Sequence, residues 1–139
     1  IYFAAMIDAG LSAEIENELV ETLTINWDKT LLLLFGSLQT QDFNKQLDIA
    51  ESLSGYHKND GALLTILGKL SFKCKEYAKA ENYLMKSNAI DPNVQAYRLL
   101  GDLYSAQGEE HKANMAYKQG LELASSGVVS QLEEAVMNS

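Results

Sequence analysis

Two stretches of this chain repeat each other: LLTILGKLS at 63–71 and AYRLLGDLY at 96–104 superimpose with Gly68 over Gly101. Twelve positions after each glycine stands an alanine, Ala80 or Ala113, and four positions later a large side chain, Leu84 or Tyr117. A register held over more than one element restricts the chain to stacked copies of one small unit. Apolar residues three and four apart, with a single proline, Pro92, in 139 residues, make that unit helical and leave no expectation of strands. Breaks fall at Gly10 with Ser12, Asn26 with Asp28, 40–42, 55–60, Asp91 with Pro92, Gly108 and 125–127, predicting about nine short helices. Asp28, Asp42, Asp60 and Asp91 precede apolar runs, where a carboxylate oxygen can accept from the free N–H groups of a first helical turn. At Asp91 the proline that follows is expected to be the first helical residue, where its missing N–H removes no bond.

A glycine inside a helix costs about 1 kcal/mol against alanine, so glycines recurring at one helical position need a reason. Close packing supplies it: helix axes in a hairpin lie roughly 8–10 Å apart, and the nearest approach admits only small side chains. Gly68 is therefore expected to face Ala80, and Gly101 to face Ala113. Leu64, Leu67, Leu84, Tyr97, Leu100, Tyr104 and Tyr117 would fill the space around them.

These residues resemble the tetratricopeptide repeat. Leu64, Leu67, Gly68, Ser71, Ala80, Leu84 and Pro92 follow its pattern once, and Tyr97, Leu100, Gly101, Tyr104, Gly108, Ala113 and Tyr117 follow it again. Ser71 stands where the pattern has an aromatic, and Ser125 where it has a second proline. Upstream, Leu32, Phe35 and Gly36 repeat the motif one position short of a full period before Gly68, but Ala50 lies fourteen positions beyond Gly36, not twelve. A hairpin of two amphipathic helices cannot bury its apolar face alone, so about three must stack. The expected architecture is an all-α tetratricopeptide-repeat superhelix in one domain, 1–139. It divides into an N-terminal helical hairpin (1–24), a degenerate repeat (28–55), two repeats (60–92 and 93–125) and a capping helix (127–138). In that cap Val129, Leu132, Ala135 and Val136 would cover the end of the stack.

Composition narrows function more than it names it. Nineteen acidic residues against eleven basic ones give a net charge of −8, and Arg98 is the single arginine, a poor surface for nucleic acid. The acidity belongs to residues 1–60, with ten acidic and three basic residues, much of it on Glu14, Glu16, Glu18 and Glu21, read as a solvated helix face. Cys74 is the lone cysteine, which excludes an internal disulfide and zinc sites built on several cysteines. Lys73 and Lys75 beside it would lower its pKa, although an incidental thiol is the plainer expectation. His57 and His111 stand far apart in the chain without a nucleophile or carboxylate at catalytic spacing, and no glycine-rich phosphate loop follows a strand. No catalytic residue, cofactor or metal site is expected, and the chain reads as a non-enzyme. It also lacks an apolar run long enough to cross a bilayer as a helix. Ile1 in place of an initiator methionine and the apolar YFAAMI that follows suggest a soluble piece of something longer.

What remains is surface. The first helices of successive hairpins line a groove in such arrays, and by register they present Lys69, Phe72 and Lys73, then Arg98, Asp102 and Ser105, with Ser37, Thr40 and Gln41 upstream. The two lysines and the arginine would form a basic strip suited to an acidic or extended peptide. Thr65 and Lys69 stand where chaperone-binding repeats carry lysine and asparagine, so a clamp for a chaperone's C-terminal carboxylate is not expected. Exposed ends of the stack invite self-association.

The order of AGLSAEIENEL, DKTLLLLFGSL, GALLTILGKLSF, EYAKAENYLMKS and AYRLLGDLYSAQGE with AYKQGLELA resembles the C-terminal tetratricopeptide-repeat region of HemY-type proteins of Gram-negative bacteria, over about residues 1–125. The resemblance implies a scaffold for protein partners, among them haem-pathway enzymes, tethered to the inner membrane by upstream helices absent from this sequence. The side of the membrane stays open. An alternative is a carrier that itself binds haem or porphyrin, for which His57 with Tyr56 beside it would supply an axial ligand. Another is a generic repeat module of envelope assembly or secretion.

Overall fold

A computed structural model of the chain describes residues 12–38 and 42–138. Seven α-helices run through them: α1 (Ser12–Ile25), α2 (Lys29–Ser37), α3 (Phe43–Leu53), α4 (Gly61–Lys73), α5 (Tyr77–Ile90), α6 (Val94–Ala106) and α7 (Glu110–Met137). The first helix of the hairpin expected at 1–24 lies outside the described residues.

The period that carries Gly68 to Gly101 in the sequence is also a period of the backbone. Asp60 and Asn93 cap α4 and α6 by accepting from Leu63 N–H and Ala96 N–H at 3.0 and 2.8 Å. The two helices then have the same length. After each, one residue takes a left-handed conformation, Lys75 with φ 62° and Gly108 with φ 78°. Glu76 N–H then reaches back to Ser71 O, and Glu109 N–H to Tyr104 O, both at 2.9 Å. These bonds close the first helix and start the second in each hairpin, because orphan carbonyls at a helix end must find donors.

Packing is most extensive inside the α4–α5 and α6–α7 hairpins, and α3–α4 and α5–α6 join successive units. One buried cluster gathers Leu19 and Leu23 of α1, Leu32 and Phe35 of α2, Leu47 and Ala50 of α3, and Leu63, Leu67 and Leu70 of α4. A second gathers Leu84, Ala96, Leu99, Leu100 and Ala116, with Tyr97 and Tyr104 against it. Between hairpins, buried polar groups are tied. The Ser87 hydroxyl donates to Gly61 O at 2.9 Å, accepts from the Asn93 amide at 3.2 Å and lies 2.7 Å from the Thr65 hydroxyl.

Four sequence expectations change in detail. Ala80 and Ala113 are fully buried, but a Cβ on Gly68 would lie 2.5 Å from Leu84, and one on Gly101 would run into the Tyr117 ring. The small residue thus makes room for the large side chain one turn beyond the alanine. In the degenerate repeat Gly36 faces Ile66 of α4, not α3, and α2 packs mainly on α1 and α4. Its longer glycine-to-alanine spacing has lost the hairpin crossing. Next, Asn93, not Asp91, caps α6; Asp91 closes α5 by donating its N–H to Ser87 O, and Pro92 sits in the turn between. Finally, no separate cap exists over 127–138, because α7 continues unbroken to Met137. Gly127 keeps an ordinary helical φ, and adding a residue to an existing helix fixes only that residue, so Ser125, Ser126 and Gly127 do not stop it. Leu132 and Val136 are 61% and 74% exposed and so do not seal the stack.

Candidate functional site

The first helices of the hairpins, α2, α4 and the start of α6, enclose a groove of about 310 Å³. Leu33 and Gly36 form one wall, Thr65, Ile66 and Lys69 its floor, and Asn93 with Gln95 the far side. Lys29 and Asp91 also line it, so both signs of charge are present. The floor is shaped by Gly36, whose missing side chain lets Ile66 approach.

Lys69 is half-buried, and its ammonium donates to Gly36 O at 3.3 Å, at the last turn of α2 where carbonyls lack helical donors. Burial, first, and the positive charges of Lys73 and Arg98, second, hold it below the ordinary lysine value. Among the described residues no carboxylate pairs with it; the ion pairs there are Lys79 with Glu51 and Glu76, and Lys112 with Glu109.

The remaining strip residues have separate employments. Lys73 lies over the Phe43 ring at 4.6 Å, toward α3. The Phe72 ring packs at 5.8 Å against Tyr77 in the turn of its own hairpin. Asp102 accepts from the Tyr117 hydroxyl and so holds that ring across Gly101. Arg98 and Ser105 are exposed, and Ser37 is exposed on the groove wall. Thr40 and Gln41 lie outside the described residues. A second hollow of about 360 Å³ lies on the opposite side among α5, α6 and α7, floored by Leu100 and Ala116 and flanked by Met85 and Met115. Lys112, which brings charge to it, is already paired with Glu109 at 3.0 Å.

Other candidates acquire ordinary roles. The His57 ring stacks on Trp27 at 3.6 Å and 7°, and Trp27 Nε1 donates to Asp60 Oδ2 at 3.0 Å. This clasp fastens the α1–α2 turn to the cap of α4, and sequence spacing offered no signal for it. Around His57 lie Gly55, Tyr56, Lys58, Asn59 and Asp60, with Tyr56 93% exposed, and not the apolar pocket that haem requires. His111 is on the surface. Burial, followed by the charge of Glu76, pushes the Cys74 thiol up, opposite to the effect expected from its flanking lysines. Glu18 and Glu21 face solvent, but Glu16 is only 6% exposed, so the acidic helix is not solvated throughout. No group of three or more metal-ligating side chains occurs among the described residues, and none of their helices is long and apolar enough to cross a membrane.

Comparison with known proteins places this geometry. The tetratricopeptide-repeat family profile matches residues 62–94 and 94–126. No curated protein matches the sequence. Among solved structures, a crystal structure of MamA superimposes on 91% of this chain and 76% of its own, with a TM-score of 0.72 and 18% identity. A second MamA protein covers 86% and 68% at a TM-score of 0.67 and 19% identity. MamA MSR-1 C2 covers 90% and 74% at 0.69 and 13%. At such identities the likeness is one of fold. Residues 62–126 carry two tetratricopeptide repeats, the described residues form an all-helical stack of hairpins, and the likeness in fold extends beyond the two repeats that the profile matches.

Proposed function

We propose that this chain is a non-catalytic scaffold that holds a protein partner in the groove formed by α2, α4 and α6. The observation that supports this most directly is the half-buried Lys69 ammonium on the groove floor, which lacks a carboxylate partner among the described residues. A stack of hairpins spends its apolar faces on its own core and leaves an extended surface of first-helix side chains for ligands. A protein or peptide is the class of partner that tetratricopeptide repeats take.

The link to haem and porphyrin biosynthesis, and to a membrane tether, rests on the segment order that resembles HemY-type proteins. Neither the repeat profile nor the MamA structures carry it. Crosslinked co-purification from native membranes with the full-length protein tests the reading. Partners should be captured by the wild type and lost from a variant carrying Lys69→Glu, Lys73→Glu and Arg98→Glu. Recovery of the same partners with both proteins would remove the groove from the account. If haem-pathway enzymes were missing from an otherwise groove-dependent set, the pathway assignment would fall and the scaffold would stand.

A further inference from the structure

The hollow among α5, α6 and α7 has a counterpart one repeat earlier, and there an aromatic ring is in place. Gly101 follows Gly68 by 33 positions, and by the same step Ala116 takes the place of Tyr83. The Tyr83 ring packs on the first buried cluster, which includes Leu64 and Leu67, and its hydroxyl donates to Glu51 of α3 at 2.6 Å. One aromatic side chain thus bridges two successive second helices, α3 and α5. In the later repeat the floor keeps its kind, with Tyr97 and Leu100 in the places of Leu64 and Leu67, but Ala116 supplies no ring. Tyr104, in the place of Ser71, brings a ring from the other helix of the hairpin, yet it forms one wall beneath Lys112 and leaves the space open. The opening measures about 360 Å³, within the roughly 300–1,000 Å³ of ordinary ligand sites. Met85 and Met115 flank it from α5 and α7 and are 56% and 52% exposed. Thioether side chains adapt to the shape of what covers them and favour contact with an aromatic ring.

We infer that this hollow receives an aromatic side chain of the protein partner, in the place that Tyr83 fills from within the chain one repeat earlier. This rests on the scaffold reading and adds a second anchor outside the groove, with which the hollow shares no lining residue. A protein side chain is favoured over a free small molecule because the chain itself occupies the equivalent space with one. The backbone that carries the ring would also cover the two exposed methionines, taking further apolar area out of water. Charge does not select the occupant, since Lys112, the basic side chain at the hollow, is already bonded to Glu109 at 3.0 Å. Rings seated in pockets of this kind carry a large share of the binding energy of protein interfaces.

The test is a nuclear magnetic resonance titration of the full chain, carbon-13 labelled at its methionine methyl groups, with the peptide acetyl-Gly-Ser-Phe-Ser-Gly-amide up to ~20 mM, the scale of a single weak anchor. The Met85 and Met115 methyl signals should move upfield and saturate, as expected beside a ring, while Met137, 85% exposed near the end of α7, stays in place as the internal reference. The alanine counterpart of the peptide should bind at least tenfold more weakly. Ala116→Phe, which supplies the missing ring from α7, should shift both methyl signals without any peptide and abolish the saturable response. Met115→Gln changes a half-exposed side chain, keeps the fold by its circular dichroism spectrum, and should weaken the peptide at least threefold as read at Met85. Equal affinity for the alanine peptide, movement of Met137 as large as that of Met85, or full affinity in Met115→Gln would overturn the inference. So would free phenylacetamide binding at least tenfold more tightly than the peptide, which would assign the hollow to a small molecule. None of these outcomes bears on the groove, which the co-purification experiment tests through other residues.

Discussion

At the scale of single residues, the two repeats act as controls for each other. Lys75 occupies with φ 62° the position that Gly108 occupies with φ 78° one repeat later. A side chain at positive φ carries a steric penalty that glycine avoids, so Lys75→Gly should stabilise the fold by about 1 kcal/mol, read as a higher urea midpoint. An unchanged or lower midpoint would show that the turn holds no strain. The two helical glycines should differ when replaced by alanine. Leu84, which fills the space over Gly68, is fully buried and cannot retreat, whereas the Tyr117 ring over Gly101 is 39% exposed and can swing outward. Gly68→Ala should therefore destabilise by about 1–3 kcal/mol through overpacking, while Gly101→Ala should cost less, because the exposed ring can give way at the expense of its hydrogen bond to Asp102 and helix propensity offsets part of that loss. Equal losses at both sites would contradict this difference in room to move. Of the sequence expectations at this scale, the caps at Asp28, Asp42 and Asp60 were legible, because each needs only a local side chain and an N–H three positions on. The occupant of the space over each glycine was not, because it depends on the rotation of the facing helix.

At the scale of elements, consecutive hairpins are tied by a polar network that sequence periodicity did not indicate. Glu51 of α3 accepts from Lys79 at 3.0 Å and from the Tyr83 hydroxyl at 2.6 Å, both on α5. Burial works to raise the Glu51 carboxyl, but the bonds from Tyr83 and Lys79 outweigh it and bring the group below its ordinary value. Tyr83 is pushed up to about 12, chiefly by burial and then by Glu51, and Tyr104 is also pushed up to about 12, by burial and then by Glu81. A folded-state value above the unfolded one favours the protonated phenol, so this stabilisation is fully present below pH 10 and is lost as the pH rises from 10 toward 12. Absorbance at 295 nm should show a late-ionising component in the folded protein, diminished in Tyr83→Phe and abolished by denaturant. Simultaneous ionisation of all seven tyrosines near pH 10 would remove this tie between hairpins.

At the scale of the whole molecule, the stack ends on a helix that outruns its repeat. By the period that separates Gly68 from Gly101, α7 should stop near residue 123, where α5 has its counterpart Ile90, yet it continues to Met137 with residues 131–137 exposed. Deleting residues 131–139 should therefore move the thermal midpoint by no more than about 2 °C, since residues 131–138 are exposed and little apolar area leaves the core. A drop of more than about 5 °C on a circular dichroism melt would mean that the tail covers the stack after all. The sequence by itself determined the helical class, the period of the hairpins and the positions where backbones draw close. Those properties are written in local propensity and in spacing, which every copy of the unit must obey in the same way. Only the tertiary structure decided which lysine is drawn into the groove, that Lys73 turns to Phe43, that Trp27 clasps His57, and that α7 runs past its repeat. Such outcomes depend on the surfaces neighbouring helices present after stacking, and residues far apart in the chain settle them together.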